Sequence, residues 1–369
     1  MPSMQRDAVD AMNLRFTTPG WGFMMGEISN GNCAVIFGGN GFIGAFLAAS
    51  LGQSGRYRKV YLFDREPIEA KHNRFRLAMV RSIPGVTEVL GDVRQPIDWM
   101  PQEAVEFVAN LASVHREPGH EVHEYYETNI LGAEHVCEWA KRANVRNIVF
   151  TSSIAMYGFS DEKRDENSLP VPTSPYGGSK LVAEKIHLSW LNEDRARRVL
   201  TIVRPGVVFG PGEGGNVSRL IQAVTRRYFF YMGNKNTRKA GVYVRELVDA
   251  ILWVHQQQIE KQDSYALFNM SMEPAPAIRD YVDAVCDTAG IKRYVPEVPF
   301  SLLLIASHGI SLVAGLVGLK QPFSPVRVRK LVRPNHIVPG YLLSSEYTFK
   351  YNLNSAFRDW RTLCPDDWK

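Results

Sequence analysis

The sequence predicts an α/β fold: a doubly wound parallel sheet followed by a smaller C-terminal subdomain. Three observations predict it. From Cys33 to Phe209, short β-branched runs alternate with helical stretches, a rhythm that implies parallel strands with helices on both faces. Beyond Gly210 the spacing loosens into mixed helices and short Pro-flanked segments. The chain has 369 residues, 45% hydrophobic and 22% charged, which is enough ordinary globular sequence for one large domain and a lesser one.

The elements follow in order. CAVIFGG, KVYLFDR, VTEVLGDV, FVANLAS, RNIVFTSS and LTIVRPGVVFG read as strands. FIGAFLAASLGQSG, KHNRFRLAMV, YYETNILGAEHVCEWAKRA and SKLVAEKIHLSWLNE read as helices. Residues 1–32 form a poorly patterned extension, 33–210 the sheet domain with returning segments to about 270, and 211–369 mainly the smaller subdomain. GPGEGGN, residues 210–216, is the Gly/Pro-rich loop between them.

Bulk chemistry narrows the classes. The net charge of +5 is spread out, with no long Lys/Arg block, so an anionic small ligand is expected and nucleic acid is not. Cys33, Cys137, Cys286 and Cys364 stand far apart, which argues against a zinc site or disulfide framework and for a reducing compartment. MPSMQRDAVDAMNLRF carries acidic residues and no apolar signal core, so a cytoplasmic protein is expected. FSLLLIASHGISLVAGLVGL, residues 300–319, approaches the length of a bilayer span. Lys320, Arg327, Arg329, Lys330 and Arg333 follow it. Buried helices are the favoured reading. Peripheral membrane contact through 300–333 is the alternative.

VIFGGNGFIG places Gly38, Gly41 and Gly44 between a strand and a helix. Glycines at that turn let the backbone approach a pyrophosphate, and the helix N-terminus opened by Phe42 and Ile43 presents N–H groups to it. A Rossmann-type dinucleotide site is the reading. Asp64 ends the next strand, where a carboxylate accepts both ribose hydroxyls of an adenosine and repels a 2′-phosphate. NAD is therefore expected. Arg65 keeps NADP open, because a guanidinium pairs well with that phosphate. Asp92 and Val93 end the third strand, where an adenine ring would lie.

SPYGGSK sets Tyr176 and Lys180 one helical turn apart on one face. A phenol is a poor base near neutrality; a nearby ammonium would stabilise its phenolate. Thr151, Ser152 and Ser153 end the strand before it, and one of these hydroxyls would orient a substrate oxygen.

These motifs, with NLAS, YYETNILGAEHV, VFTSSIAMYG, RPGVVFGPG and VYVRELVDA, resemble the extended short-chain dehydrogenases/reductases in their NAD-dependent epimerase/dehydratase branch. The resemblance runs from about Cys33 to Asp249. It implies that Ser153, Tyr176 and Lys180 are catalytic, that Leu111, Ala112 and Pro205 border the cofactor, and that His115 lies near cofactor or substrate. It also implies cations for a nucleotide-sugar diphosphate, with Lys239 and Arg238 as candidates and Asn216 beside them. Relatives form homodimers through two helices, here those around 125–142 and 176–192. Family dehydratases carry an Asp-Glu pair after the catalytic hydroxyl; this chain has Ile154 and Ala155. Neither transfers a proton, so elimination of water is disfavoured. The expected reaction is C4 epimerisation of a nucleotide sugar through a 4-keto intermediate. A 4-ketosugar reductase, a 3β-hydroxysteroid-type dehydrogenase and a non-catalytic dinucleotide-binding regulator are the alternatives.

Overall fold

β1 (Asn32–Phe37) is apolar at every position after the first, as a strand covered on both faces must be. Its alternate side chains serve two cores. Ala34 and Ile36 pack with Ala45 and Leu247 on one side, while Cys33, Val35 and Phe37 pack with Trp139 and Trp190 on the other. The computed structural model describes residues 32–71, 73–117, 119–301 and 334–369. The apolar stretch 300–319, apart from Phe300 and Ser301, the basic residues after it, and the first 31 residues lie outside this set.

Seven parallel strands form the sheet in the order β11-β7-β5-β4-β1-β2-β3. They are β2 (Lys59–Asp64), β3 (Val86–Leu90), β4 (Ala104–Asn110), β5 (Asn147–Thr151), β7 (Val199–Pro205) and β11 (Tyr265–Met270) beside β1. The chain winds outward from β1 to β3 and then crosses back to β4. The order therefore reverses between β1 and β4, which is where ligands lie in open α/β sheets. Phe37, Asp64, Asn110, Thr151 and Pro205 are the last residues of their strands and share that carboxyl edge.

Helices α1 (Phe42–Gln53), α2 (Arg74–Arg81), α3 (Val122–Tyr126), α4 (Gly132–Arg142) and α5 (Pro175–Asn192) clothe the sheet. A π-helical turn, Glu127–Leu131, joins α3 to α4 within the single helix the sequence suggests. Such turns accompany functional sites more often than chance allows. A short strand β6 (Ser160–Arg164) lies outside the main sheet, and after β7 the chain forms β8 (Val207–Phe209), α6 (Asn216–Thr225), β9 (Tyr231–Met232), β10 (Gly241–Tyr243) and α7 (Val244–Lys261). It then returns to the main sheet as β11, so the second lobe is inserted between sheet strands. The C-terminal helix (Leu353–Leu363) and the turn Pro365–Trp368 after it close the lobe: Asp359 pairs with Arg245 at 2.9 Å, and Asp367 accepts from Gly212 N at 2.9 Å. The 210–216 loop is thus held by the end of the chain. Among the described residues no helix is long and apolar enough to cross a membrane.

Candidate active site

The glycine loop is built by close backbone approach. Gly38 has φ +76°, and a Cβ there would meet Ala112 N at 2.7 Å and Leu111 C at 2.8 Å. Only glycine satisfies both the left-handed turn and the contact with the loop after β4. Leu111 and Ala112 are therefore pressed against the loop, Leu111 N donating to Phe37 O at 2.9 Å. Gly41 is the N-cap of α1 and brings no side chain to cap it, which leaves the first turn at Phe42 and Ile43 open toward an anion. Gly44 packs within that turn directly on Gly38 and Gly39.

Asp64 lies beside this loop. Its carboxylate accepts from Asn40 N and Glu66 N, each at 3.2 Å, and pairs with Lys71 at 3.3 Å. Arg65 is exposed, pairs with Glu66 at 3.4 Å, and its charge also acts on Asp92. Asp92 is engaged by Arg94, which holds its carboxyl below the usual range. Val93 is buried, and its carbonyl accepts from His135 at 2.8 Å. Asn40 Oδ1 and Asn110 Oδ1 are buried without a hydrogen-bond partner, one on the loop and one at the end of β4. Unpaired buried acceptors are costly, so a ligand with donors at this edge suits them. The uncapped turn, the glycine cradle and the Asp64 carboxylate fit an adenine dinucleotide.

The catalytic candidates converge at the same edge. Ser174 caps α5, accepting from Gly177 N at 3.2 Å, and Pro175 opens the first turn. Tyr176 and Lys180 follow on one face. Ser153 caps the short 3₁₀ turn Ile154–Tyr157, its Oγ accepting from Ala155 N at 3.1 Å. A Cβ at Gly177 would sit 2.5 Å from Ala155 O, so this glycine lets the serine turn lie directly on α5. The Ser153 hydroxyl lies on the Tyr176 side of the turn and favours ionisation of that phenol.

Electrostatics here are dominated by burial. It raises the Tyr176 pKa, against which the Ser153 hydroxyl works. It lowers Lys180 to about 7, against which Glu184 works. The sequence leads one to expect Lys180 to lower the phenol; burial instead raises it, and Lys180 is not among the groups that act on it. His115 keeps an exposed face, yet the cleft wall crowds it, and this crowding with nearby Arg116 and Lys180 lowers its pKa. Pro205 is buried at the end of β7.

Several positioning residues carry no obvious motif. Asn129, in the π turn, accepts from Val114 N at 2.9 Å and donates to Ser179 Oγ at 2.8 Å. It ties the loop of His115 to the helix of Lys180. Arg204 forks onto both Glu184 oxygens at 2.8 and 2.7 Å and donates to Tyr157 at 2.7 Å. Tyr157 donates on to Asn269 at 2.9 Å. The buried ion pair thus joins α5 to the far end of the serine turn. The i, i+4 spacing of Lys180 and Glu184 is readable in sequence, but the Arg204 partner is not.

The substrate-side candidates are dispersed. Asn216 is exposed at the start of α6 and accepts from Arg219 at 3.2 Å. Arg238 is exposed and donates to Ala275 O at 2.5 Å. Lys239 is half-buried, and burial lowers it to about 8.

The sequence matches the NAD dependent epimerase/dehydratase family over residues 34–268. It is 29% identical over 275 residues to the N-acetyl-alpha-D-glucosaminyl-diphospho-ditrans,octacis-undecaprenol 4-epimerase of Escherichia coli O157:H7, covering 74% of this chain and 82% of that one. It is 32% identical over 162 residues to the UDP-glucose 4-epimerase of Yersinia pestis, covering 41% of this chain and 46% of the relative. The fold is similar to that of MoeE5 in complex with UDP-glucose and NAD, with a TM-score of 0.67 at 21% identity, covering 91% of this chain and 99% of that one. With the family match spanning the glycine loop, the serine turn and the Tyr176–Lys180 helix, the chain belongs to the NAD dependent epimerase/dehydratase family.

Proposed function

We propose that this protein is an NAD-dependent C4 epimerase of a nucleotide sugar, acting by transient oxidation to a 4-keto sugar. One observation carries the reading. Ser153 and Tyr176 lie together at the sheet edge with Lys180 one turn further along α5, and the residues after Ser153, Ile154 and Ala155, have no proton-transfer group. That arrangement supports hydride chemistry at a carbinol carbon and nothing that needs a second acid and base.

Ser153 donates a hydrogen bond toward the substrate oxygen and orients it beside Tyr176. Tyr176 takes the hydroxyl proton and later returns it. Lys180, one turn on, steadies the phenolate. When bound, NAD supplies a hydride acceptor and a positive charge next to the phenol, which opposes the effect of burial on Tyr176. Gly38, Gly41, Gly44 and Asp64 would hold its pyrophosphate and adenosine ribose. Lys239 and Arg238 would face the substrate diphosphate, and Asn216 would meet it from the start of α6.

The test is cofactor balance. Purified protein with bound NAD should interconvert C4 epimers without net change in cofactor absorbance. Stoichiometric oxidation of added NADH or NADPH would establish the reductase alternative instead. A lipid-linked diphosphate sugar is the second reading. It is favoured by the Escherichia coli relative and by the apolar sequence at 300–319. Turnover of polyprenyl-diphospho-N-acetylglucosamine with no turnover of UDP-sugars would decide for it, and cosedimentation with anionic vesicles would test membrane contact through 300–333.

A homodimer through α3–α4 and α5 is part of the proposal. Exposed Tyr126, Leu131 and Val182 lie on these helices, and Tyr126 and Val182 line a groove of about 460 Å³ with Ile130 and Pro175. A second copy of the same face would cover this apolar strip. Sedimentation equilibrium should give twice the chain mass, and Val182→Glu should give monomer.

A further inference from the structure

Lys180 is a buried cation with few partners. Among the described residues its Nζ forms no hydrogen bond and no ion pair. Glu184, four residues on, gives both of its oxygens to Arg204. What the ammonium meets instead is an aromatic ring: Nζ lies 4.5 Å from the centroid of Phe150, the residue before Thr151 on β5. Phe150 is buried, so this contact is desolvated, where a cation over a ring face is worth most.

The same ring has a second neighbour. His187, seven residues beyond Lys180, stacks on Phe150 with centroids 4.1 Å apart and planes at 18°. Seven residues rise about 10.5 Å along a helix, room for one ring between two side chains of α5. His187 is fixed in one form. Its Nδ1–H donates to Ala183 O at 2.8 Å, which makes Nε2 the acceptor for Asn110 Nδ2 at 3.2 Å. Burial holds it neutral, at about 4. A neutral, hydrogen-bonded imidazole keeps the ring in place without repelling the ammonium.

We propose that Phe150 is a positioning residue for Lys180: its face, backed by His187, holds the ammonium at the cleft and favours its cationic form. The inference is independent of which substrate the site turns over. It assigns a role to the strand-end aromatic that no motif reading of the serine stretch includes. The other groups that act on Lys180 are Glu184 and His187 on α5, with Arg204 behind Glu184, and His115 on the loop after β4. Tyr176 stands one turn away on the same helix, with Tyr125 of α3 beside it. None of them changes when the ring alone is altered.

The experiment reads the ammonium directly. Full-length protein is labelled with an amine-selective reagent across a pH series, and modification of Lys180 is followed by peptide mass spectrometry. Added NAD should protect Lys180, which confirms that the labelled amine faces the cofactor site. Phenylalanines bearing one, two and three ring fluorines are placed at position 150. Their shape is nearly unchanged while the negative face is progressively weakened. The labelling midpoint should fall stepwise, by about half to one pH unit in total. Phe150→Leu should shift it at least as far, and Phe150→Tyr should leave it near wild type. Midpoints that do not move through the fluorinated series would overturn the proposal, because that series cannot act through lost packing.

Discussion

A buried lysine and a half-buried one are treated differently by the two halves of this molecule. Lys180, at the carboxyl edge of the sheet, is pulled down to about 7, and Glu184 opposes the shift from within a bidentate pair with Arg204. Lys239, in the inserted lobe, is pulled down by burial to about 8. Its position comes from backbone: Lys239 N donates to Pro276 O at 2.9 Å and its carbonyl accepts from Tyr281 at 3.1 Å. At the sheet edge, charge is held by a framework that is complete before any ligand arrives. In the lobe, the backbone is fixed and burial is what acts on the side chain. An anion brought beside Lys239 would favour its charged form.

The largest effect should come from the phenol. Tyr176→Phe removes the group that transfers the proton but leaves the ring and its burial. Turnover should fall by about 10²–10⁴-fold with NAD binding nearly unchanged. A variant with wild-type kcat would abolish the distinction between the two halves, since the sheet edge would then hold no required acid–base group. Next comes Gly38→Ala. A side chain at φ +76° costs about 1–2 kcal/mol, and the Cβ must displace Ala112 N from 2.7 Å. We expect a lower Tm and weaker NAD binding by at least about tenfold, measured calorimetrically.

How much of this was readable in advance follows from what holds each part. The glycine loop, Asp64 and the Tyr176–Lys180 pair were legible because local rules place them: backbone sterics at Gly38, strand length at Asp64, helical spacing from Ser174. Ser153 was legible only through family resemblance, since Thr151, Ser152 and Ser153 are equivalent hydroxyls until the 3₁₀ turn distinguishes them. Asn129, Phe150, His187 and Arg204 were not legible as a group. Each meets a partner from another element, and nothing in a single sequence encodes such pairings. The substrate side was least legible, because Asn216 and Arg238 sit on surfaces whose orientation depends on packing of the inserted lobe.

The third test concerns stability and pH. Lys180 has a folded pKa of about 7 against an ordinary 10.5. Between those values the unfolded chain binds a proton that the folded chain does not, so stability rises with pH across the window and is least below about 7. Lys180→Met removes this penalty. In cofactor-free melts the variant should gain most in Tm near about pH 6, with the gap closing toward about pH 10. A constant gap would mean that packing, not charge, is what the lysine costs. Loss of turnover in the same variant would make Lys180 a residue kept for function against stability.

The smallest effects should lie in the inserted lobe, and they can be ranked by how committed each side chain already is. Arg238 spends a guanidinium N–H on Ala275 O and is exposed. Asn216 accepts from Arg219 in open solvent. Replacing either by Ala removes a solvated group, and KM should rise by no more than about threefold. Lys239 differs in being half-buried, so its charge acts through less water. Lys239→Met should raise KM by about tenfold with kcat nearly unchanged, the signature of lost binding that is equal in ground and transition states. The discriminating readout is pH. With Lys239 at about 8, wild-type substrate affinity should weaken as pH rises through that value, and the Lys239→Met variant should lose the dependence. If wild-type affinity instead held constant through that pH and fell in Arg238→Ala, the exposed arginine, which stays charged, would be the diphosphate cation, and burial in the lobe would be packing alone.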